Sequence, residues 1–164
     1  MKTKSQKIII DGYNVLHLIE PYRSMLQKDL EAARSRFIHD LSIYRSQKML
    51  DILVVFDGAA GIPVPHQYET RAGIRIMFSR APQKADPVII NLIRKAKQRR
   101  SLSVVTNDGE IISFARSAGS QTLSPKELSR RMSVKPRDDQ LLNKFDDNMS
   151  SDELEEWKKI FGVE

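Results

Sequence analysis

A short run of β-branched residues that ends on a charge, Ile8-Ile9-Ile10-Asp11, constrains this chain more than any other stretch. The run is apolar without alternation, the pattern of a central parallel strand buried on both faces. A carboxylate cannot continue inside such a layer, so Asp11 must stand where the strand leaves the sheet. Gly12 then permits a sharp turn, and Asn14 follows. Ligands of open α/β sheets bind in the crevice beyond the carboxyl ends of the strands. Asp11 is therefore a candidate for chemistry, although a turn aspartate that caps the next element would look the same.

The rest of the chain repeats this grammar. Residues 52–56 form a second apolar strand and end on Asp57-Gly58. Residues 74–78 read as a third, more alternating and so nearer an edge. Residues 102–106 form a fourth, followed by Asn107-Asp108-Gly109, and residues 120–123 a short fifth. Residues 15–24 read as a loop or short helix broken at Pro21. A long helix is expected from Leu26 to Lys48, where Leu26, Leu30, Ala33, Phe37, Leu41 and Tyr44 recur at helical spacing. A second runs to about Arg99, with Asp86 as its cap and Pro87 at its first position. Two more run from Glu110 to Ser117 and from Ser124 to Met132, the latter opened by a Ser124/Glu127 capping box. Residues 58–73, with three glycines and two prolines, read as a loop. Strands alternating with helices specify an α/β domain whose mainly parallel sheet is covered on both faces. Right-handed crossovers then place every strand exit on one edge.

The 164 residues fit one domain with a short appendage. The domain is expected over residues 1–132, a polar linker over 133–149, and an amphipathic C-terminal helix over 150–164. Leu154, Trp157, Ile160 and Phe161 give that helix one apolar face. No apolar run approaches the roughly 20 residues of a membrane span. Lysines precede Ile8–Ile10, but Asp11 and Asn14 interrupt the run and no small-residue cleavage site follows, so no signal peptide is expected. The absence of cysteine excludes disulfides, thiolate metal sites and cysteine nucleophiles. A cytoplasmic location agrees with all of this. There is no phosphate-binding Gly-Lys-Ser/Thr loop, no dinucleotide fingerprint and no Gly-x-Ser-x-Gly elbow.

Charge is distributed unevenly. The net charge is +6, but nine acids against three lysines fall in residues 138–164. Residues 1–137 therefore carry a net +12. Residues 71–100 hold nine basic side chains against Asp86 alone. A basic body of this kind suits a polyanion, most simply nucleic acid.

The topology gathers acids that are far apart in sequence. Asp11, Asp57 and Asp108 each follow a strand, and Asp86 opens a helix that starts at the same rim. Asn14, Thr106 and Asn107 fall within reach of that crevice. Crowded carboxylates titrate upward unless a cation holds them. Oxygen donors without histidine or thiolate select magnesium or manganese. Two such ions about 4 Å apart can clamp both oxygens of a phosphodiester displacement.

Four segments carry a resemblance. They are Ile9-Ile10-Asp11-Gly12-Tyr13-Asn14-Val15, Val54-Val55-Phe56-Asp57, Ala85-Asp86 with Ile89 and Leu92-Ile93, and Val104-Val105-Thr106-Asn107-Asp108. In this order they resemble the NYN-domain branch of the PIN-like ribonucleases, nearest its YacP-like group, over about residues 7–132. The resemblance implies a PIN-like three-layer α/β/α sandwich with strand order 3-2-1-4-5, followed here by the C-terminal helix. It also implies an endoribonuclease dependent on Mg2+ or Mn2+, in which water attacks the phosphodiester. By the same resemblance Asp11, Asp86 and Asp108 match the metal-binding acids. Asn14 matches the asparagine of the first motif, and Asp57 the acid after the second strand. These five form the expected catalytic set. Thr106, in a Ser/Thr-x-Asp pattern, and Asn107 are expected beside the RNA. Arg71, Arg75, Arg80, Lys84, Arg94 and Lys95 are candidates for its backbone, where contacts position a strand without reading it. Messenger, ribosomal and transfer RNA stay open as substrates, as does a ribosomal or RNA-decay partner.

Two rival readings share the charge map: a non-catalytic RNA-binding module on the same fold, and a DNA nuclease. An aspartyl-nucleophile phosphatase would want an acid two residues after Asp11, where Tyr13 stands. Residues 138–156 of the acidic tail are expected either to fold over the basic body and compete with RNA or to face a basic partner; the first alternative is testable. Deleting residues 134–164 should then strengthen RNA binding at low salt in a filter or anisotropy assay. Equal or weaker binding by the truncated chain would count against that competition.

Overall fold

The structure, a computed structural model, describes residues 6–58, 68–79 and 85–133. Strands β1 (Gln6–Asp11), β2 (Leu50–Phe56), β3 (Tyr68–Arg71), β4 (Ile74–Phe78), β5 (Leu102–Val105) and β6 (Gln121–Leu123) form one sheet. Their order is β3-β4-β2-β1-β5-β6, and every pairing is parallel except β3 with β4. The five parallel strands reproduce the expected 3-2-1-4-5 order, with β3 added at one edge. Helices α1 (Gly12–Leu18), α2 (Tyr22–Lys28), α3 (Leu30–Lys48), α4 (Ala85–Lys95), α5 (Gly109–Ser117) and α6 (Pro125–Met132) cover the two faces.

Strand alternation divides the core in two. Ile8 and Ile10 of β1, Ile52, Val54 and Phe56 of β2, and Ile74 and Ile76 of β4 pack against α1, α2, α3 and α6. Ile9, Leu53, Val55, Met77 and Val104 point the other way, against Ala85, Ile89, Leu92 and Ile93 of α4 and Ile111 and Ala115 of α5. The result is the three-layer α/β/α sandwich. By the same alternation Asp11 emerges on the α4/α5 side of the sheet, the side of Ile9.

Four expectations need correction. The helix foreseen from Leu26 begins at Leu30, because the Asp29 carboxylate accepts a bond from the Ala32 amide at 3.2 Å and starts a new helix there. The loop foreseen over 58–73 contains β3, which folds back on β4 through a turn in which Ala72 and Gly73 both take positive φ. With β3 covering it, β4 is not an edge strand, and Ile74 to Met77 are all buried. Asp86 is not the N-cap residue of its helix; α4 already includes Ala85, so Asp86 lies in the first turn. The linker, the terminal helix, Arg80 and Lys84 lie outside the described residues. Among the described residues no helix is long and apolar enough to cross a membrane.

Gly12 makes the bend from β1 into α1 feasible. A Cβ there would run into the Phe56 ring and meet the Val54 side chain at 3.0 Å. Phe56 is fully buried and packs against Phe78 with ring centroids 5.8 Å apart, so it has nowhere to retreat. Gly12→Ala should therefore destabilise the fold by about 1–3 kcal/mol, the usual cost of overpacking a core. A urea midpoint unchanged from wild type would show that the ring can yield.

Candidate functional site

The acid rim is built by three strand exits and two helix starts. β1 delivers Asp11, which is only 6% exposed. β5 ends beside it, since Ile10 pairs with Val105. The next residue, Thr106, is 1% exposed and donates its hydroxyl to Asp11 Oδ2 at 3.1 Å. The same hydroxyl oxygen accepts the Asp108 amide at 3.0 Å. Asp108 Oδ1 in turn accepts the Ile111 amide at 3.0 Å and caps α5. One chain of hydrogen bonds thus ties the start of α5 to the Asp11 carboxylate.

The second strand exit works at longer range. Asp57 Oδ1 accepts the backbone amide of Ala85, the first residue of α4. The cap of α4 therefore comes from β2, 28 residues earlier. Ser79 reinforces this corner: its amide donates to the Phe56 carbonyl at 2.9 Å and its hydroxyl accepts the Gly58 amide at 3.1 Å. Asp86 follows Ala85 in the same turn. Asn14, on α1, accepts the Asn107 amide through Oδ1 at 2.8 Å. Asn14 thus braces the β5–α5 loop, and its amide nitrogen takes no bond among the described residues.

These positions create a deficit of positive charge. Burial pushes the Asp11 carboxyl up to about 7. The Thr106 hydroxyl opposes the rise, while the charges of Asp86, Asp57 and Asp108 add to it. The other three acids therefore all act on Asp11. Asp11, Asp57 and Asp108 each commit one oxygen to a described hydrogen bond, on Thr106, Ala85 and Ile111 respectively. Among the described residues no three acidic or histidine side chains stand together as a formed metal shell. The fit to a hard divalent cation lies in donor chemistry: oxygen donors only, and a buried carboxylate with a single hydroxyl partner amid like charges.

The other expected contacts divide. Thr106 is buried inside the rim and braces Asp11. Asn107 is exposed, but what it offers the site is its backbone amide. Arg75 is buried, 6% exposed, with Nη1 3.6 Å from Asp51 Oδ1 on the neighbouring strand, and has no surface to offer a phosphate. A charge at the centre of a covered strand is paired within the sheet rather than presented. Arg94 and Lys95 are exposed but close α4 at its far end from Asp86. Arg94 lies over the Phe114 ring at 5.5 Å. Arg71 is exposed on β3. Sequence reasoning passed over Arg34, which donates to the Tyr13 hydroxyl at 3.3 Å, two residues from Asp11. Its place on α3, between the buried Ala33 and Phe37, gave no signal beyond a charged residue beside an apolar stripe.

The Asp11 shift carries a sign. Its carboxyl titrates near 3.8 without the fold and about 7 within it, so the native state holds the proton more tightly than the unfolded chain. Its contribution to stability is full at low pH, is lost as pH rises from about 4 to 7, and stays lost above that window. In EDTA, Asp11→Asn should be more stable than wild type at pH 8, by up to about 4 kcal/mol, and the difference should shrink at pH 4. Paired urea titrations at the two pH values measure this. A variant less stable than wild type at pH 8 would contradict the charge deficit.

A family model described as the YacP-like NYN domain matches residues 8–162. The match runs beyond the four segments and through the residues set aside above as linker and terminal helix. No match is found among curated proteins. Among solved structures, the crystal structure of Rae1 (YacP) from Bacillus subtilis superposes with a TM-score of 0.62 and 24% identity, over 79% of this chain and 74% of that one. A mutant form of the same Bacillus subtilis protein gives 0.61 and 22%, over 77% and 73%. At these identities the likeness shows a shared fold.

Proposed function

Because the chain belongs to the YacP-like NYN domain family, a nuclease-type PIN-like family, we propose that it is a divalent-metal-dependent endoribonuclease. The observation that carries this reading is the state of Asp11: buried, bonded by one hydroxyl, and surrounded by the charges of three further acids. A module that only bound a polyanion would gain nothing from buried negative charge facing its ligand. A cation answers both the desolvation of Asp11 and the repulsion around it.

Asp11, Asp86 and Asp108 would hold Mg2+ or Mn2+, with Asp57 assisting directly or through water. When bound, the ion supplies a water of lowered pKa and a counter-charge for the phosphodiester oxygens. The chain's own residues prepare the rest. Thr106 fixes the Asp11 carboxylate. Asp57 anchors the start of α4 and so sets where Asp86 stands. Asn14 holds the loop that carries Asp108 and offers its amide nitrogen toward the scissile phosphate. The exposed arginines and lysines, with Arg80 and Lys84 beyond the described residues, would steer and position the strand. The enzyme would act on cytoplasmic RNA, with a ribosome or an RNA-decay factor as partner.

Cleavage of a mixed RNA pool should require added Mn2+ or Mg2+, stop in EDTA, and fall by at least about 100-fold in Asp11→Asn, as loss of a principal electrostatic group predicts. Mn2+ should also raise the melting temperature of wild type and not of Asp11→Asn, a readout independent of turnover. Equal cleavage by wild type and variant would assign the activity to a contaminant. RNA binding with no metal-dependent cleavage would leave the non-catalytic module as the function.

A further inference from the structure

On the face of the sheet opposite α4 and α5, two arginines share one carboxylate. Arg34 Nη2 lies 2.6 Å from Glu31 Oε2, and Arg71 Nη1 lies 3.5 Å from Glu31 Oε1. The residues come from α3 and β3, some 40 positions apart. Arg71 is steadied by Glu69 at 2.6 Å and by the Ser35 hydroxyl at 3.3 Å. Arg34 is steadied by the Tyr13 hydroxyl at 3.3 Å and by the Phe78 ring, 5.5 Å below its guanidinium. Tyr13 packs on Phe56 with centroids 5.0 Å apart. Both guanidinium groups are therefore pre-positioned by groups other than Glu31.

Glu31 itself is weakly committed. Its side chain is 57% exposed, whereas that of Arg34 is 21% exposed. Exposed ion pairs of this kind contribute little and exchange easily. An acid whose two oxygens each face a different guanidinium occupies the position that a phosphate diester would take with stronger, charge-assisted bonds. The location suits a strand at the acid rim, because Arg34 reaches the rim through Tyr13 and the charge of Asp57 acts on that same hydroxyl.

We infer that Arg34 and Arg71 form a clamp for one backbone phosphate of a single RNA strand, and that Glu31 holds the phosphate position until RNA displaces it. The inference rests on the nuclease reading above for RNA as the polyanion. It separates two duties: acids on the α4/α5 side act on the scissile phosphate, and the clamp on the α3 side holds a neighbouring one.

The test is the anisotropy of a labelled single-stranded oligoribonucleotide with the full chain in EDTA, so that binding is read without cleavage. Arg34→Gln should weaken binding about tenfold, the loss expected for a charge-assisted bond. It should also flatten the salt dependence by about one phosphate, a change of roughly 0.7 in the log–log slope. Arg34→Lys should recover part of the affinity, which a merely unfolded variant would not do. Glu31→Gln should tighten binding about two- to fivefold, the range of an exposed pair. Glu127→Gln, which removes a half-buried acid paired to Arg130 at 3.0 Å on α6, should tighten it less. Wild-type affinity and slope in Arg34→Gln, or equal gains in the two glutamate variants, would overturn the clamp. If Arg34→Gln weakens binding while wild type shows no metal-dependent cleavage, the clamp stands and the nuclease reading falls. If cleavage is metal-dependent and Arg34→Gln leaves RNA affinity intact, the reverse holds.

Discussion

The desolvated carboxylate of Asp11 is the constraint around which the rest is arranged. A strand buried on both faces cannot carry an ionised group, so the chain must leave the sheet at that residue. It leaves only partly: Asp11 still pairs with Val55 of β2 and remains buried. The Thr106 hydroxyl is its single described hydrogen-bond donor, and that hydroxyl is held by the Asp108 amide. The acid is thus locked in direction but not neutralised. Its raised titration is the thermodynamic mark of that arrangement.

Neighbouring elements serve this point through ordinary helix capping. The first amides of α4 and α5 need acceptors, and Asp57 and Asp108 provide them. Capping draws the carboxylates to the rim and the rim draws the helices to the sheet edge, so fold and site are secured by the same bonds. Gly12 belongs to this logic as well. Without a side chain it lets α1 pass close over Phe56, which brings Asn14 to the Asn107 amide.

Local chemistry decided what could be read in advance. Asp11, Asp57 and Asp108 were legible because each ends an apolar run, and parallel topology puts such ends together. That Asp57 caps α4 was not legible, since no local pattern marks a bond across 28 residues. β3 escaped because its four residues, Tyr-Glu-Thr-Arg, lack an apolar face to announce a strand. Gly73 carried a signal for its turn: at φ 79°, with Arg45 packed against it, it marks a bend between strands. The break before α3 was also written locally, in Asp29 followed by Glu31 in the first turn. The depth of Arg75 and the place of Arg34 were not legible for one reason. Charge alone says nothing about depth: Arg75 lies buried in a covered strand with its guanidinium beside Asp51, and Arg34 stands against Tyr13.

The double service of the acids has a consequence for how the site can change. Each of Asp11, Asp57 and Asp108 uses one oxygen for architecture. Replacement by alanine removes an acceptor as well as a charge, and loss of a cap costs about 0.5–2 kcal/mol in its own right. Asparagine keeps one acceptor oxygen of the same reach while it removes the charge and turns the second oxygen into a donor. The amide series therefore isolates the electrostatic role of the rim from its structural role, while the alanine series conflates them. The Glu31–Arg71 pair lacks this coupling. Glu31 and Arg71 are exposed and their bonds close no helix, so that surface can be altered with little cost to the fold. The carboxylate rim is consequently bound to the architecture, and the exposed Glu31–Arg71 pair is free of it.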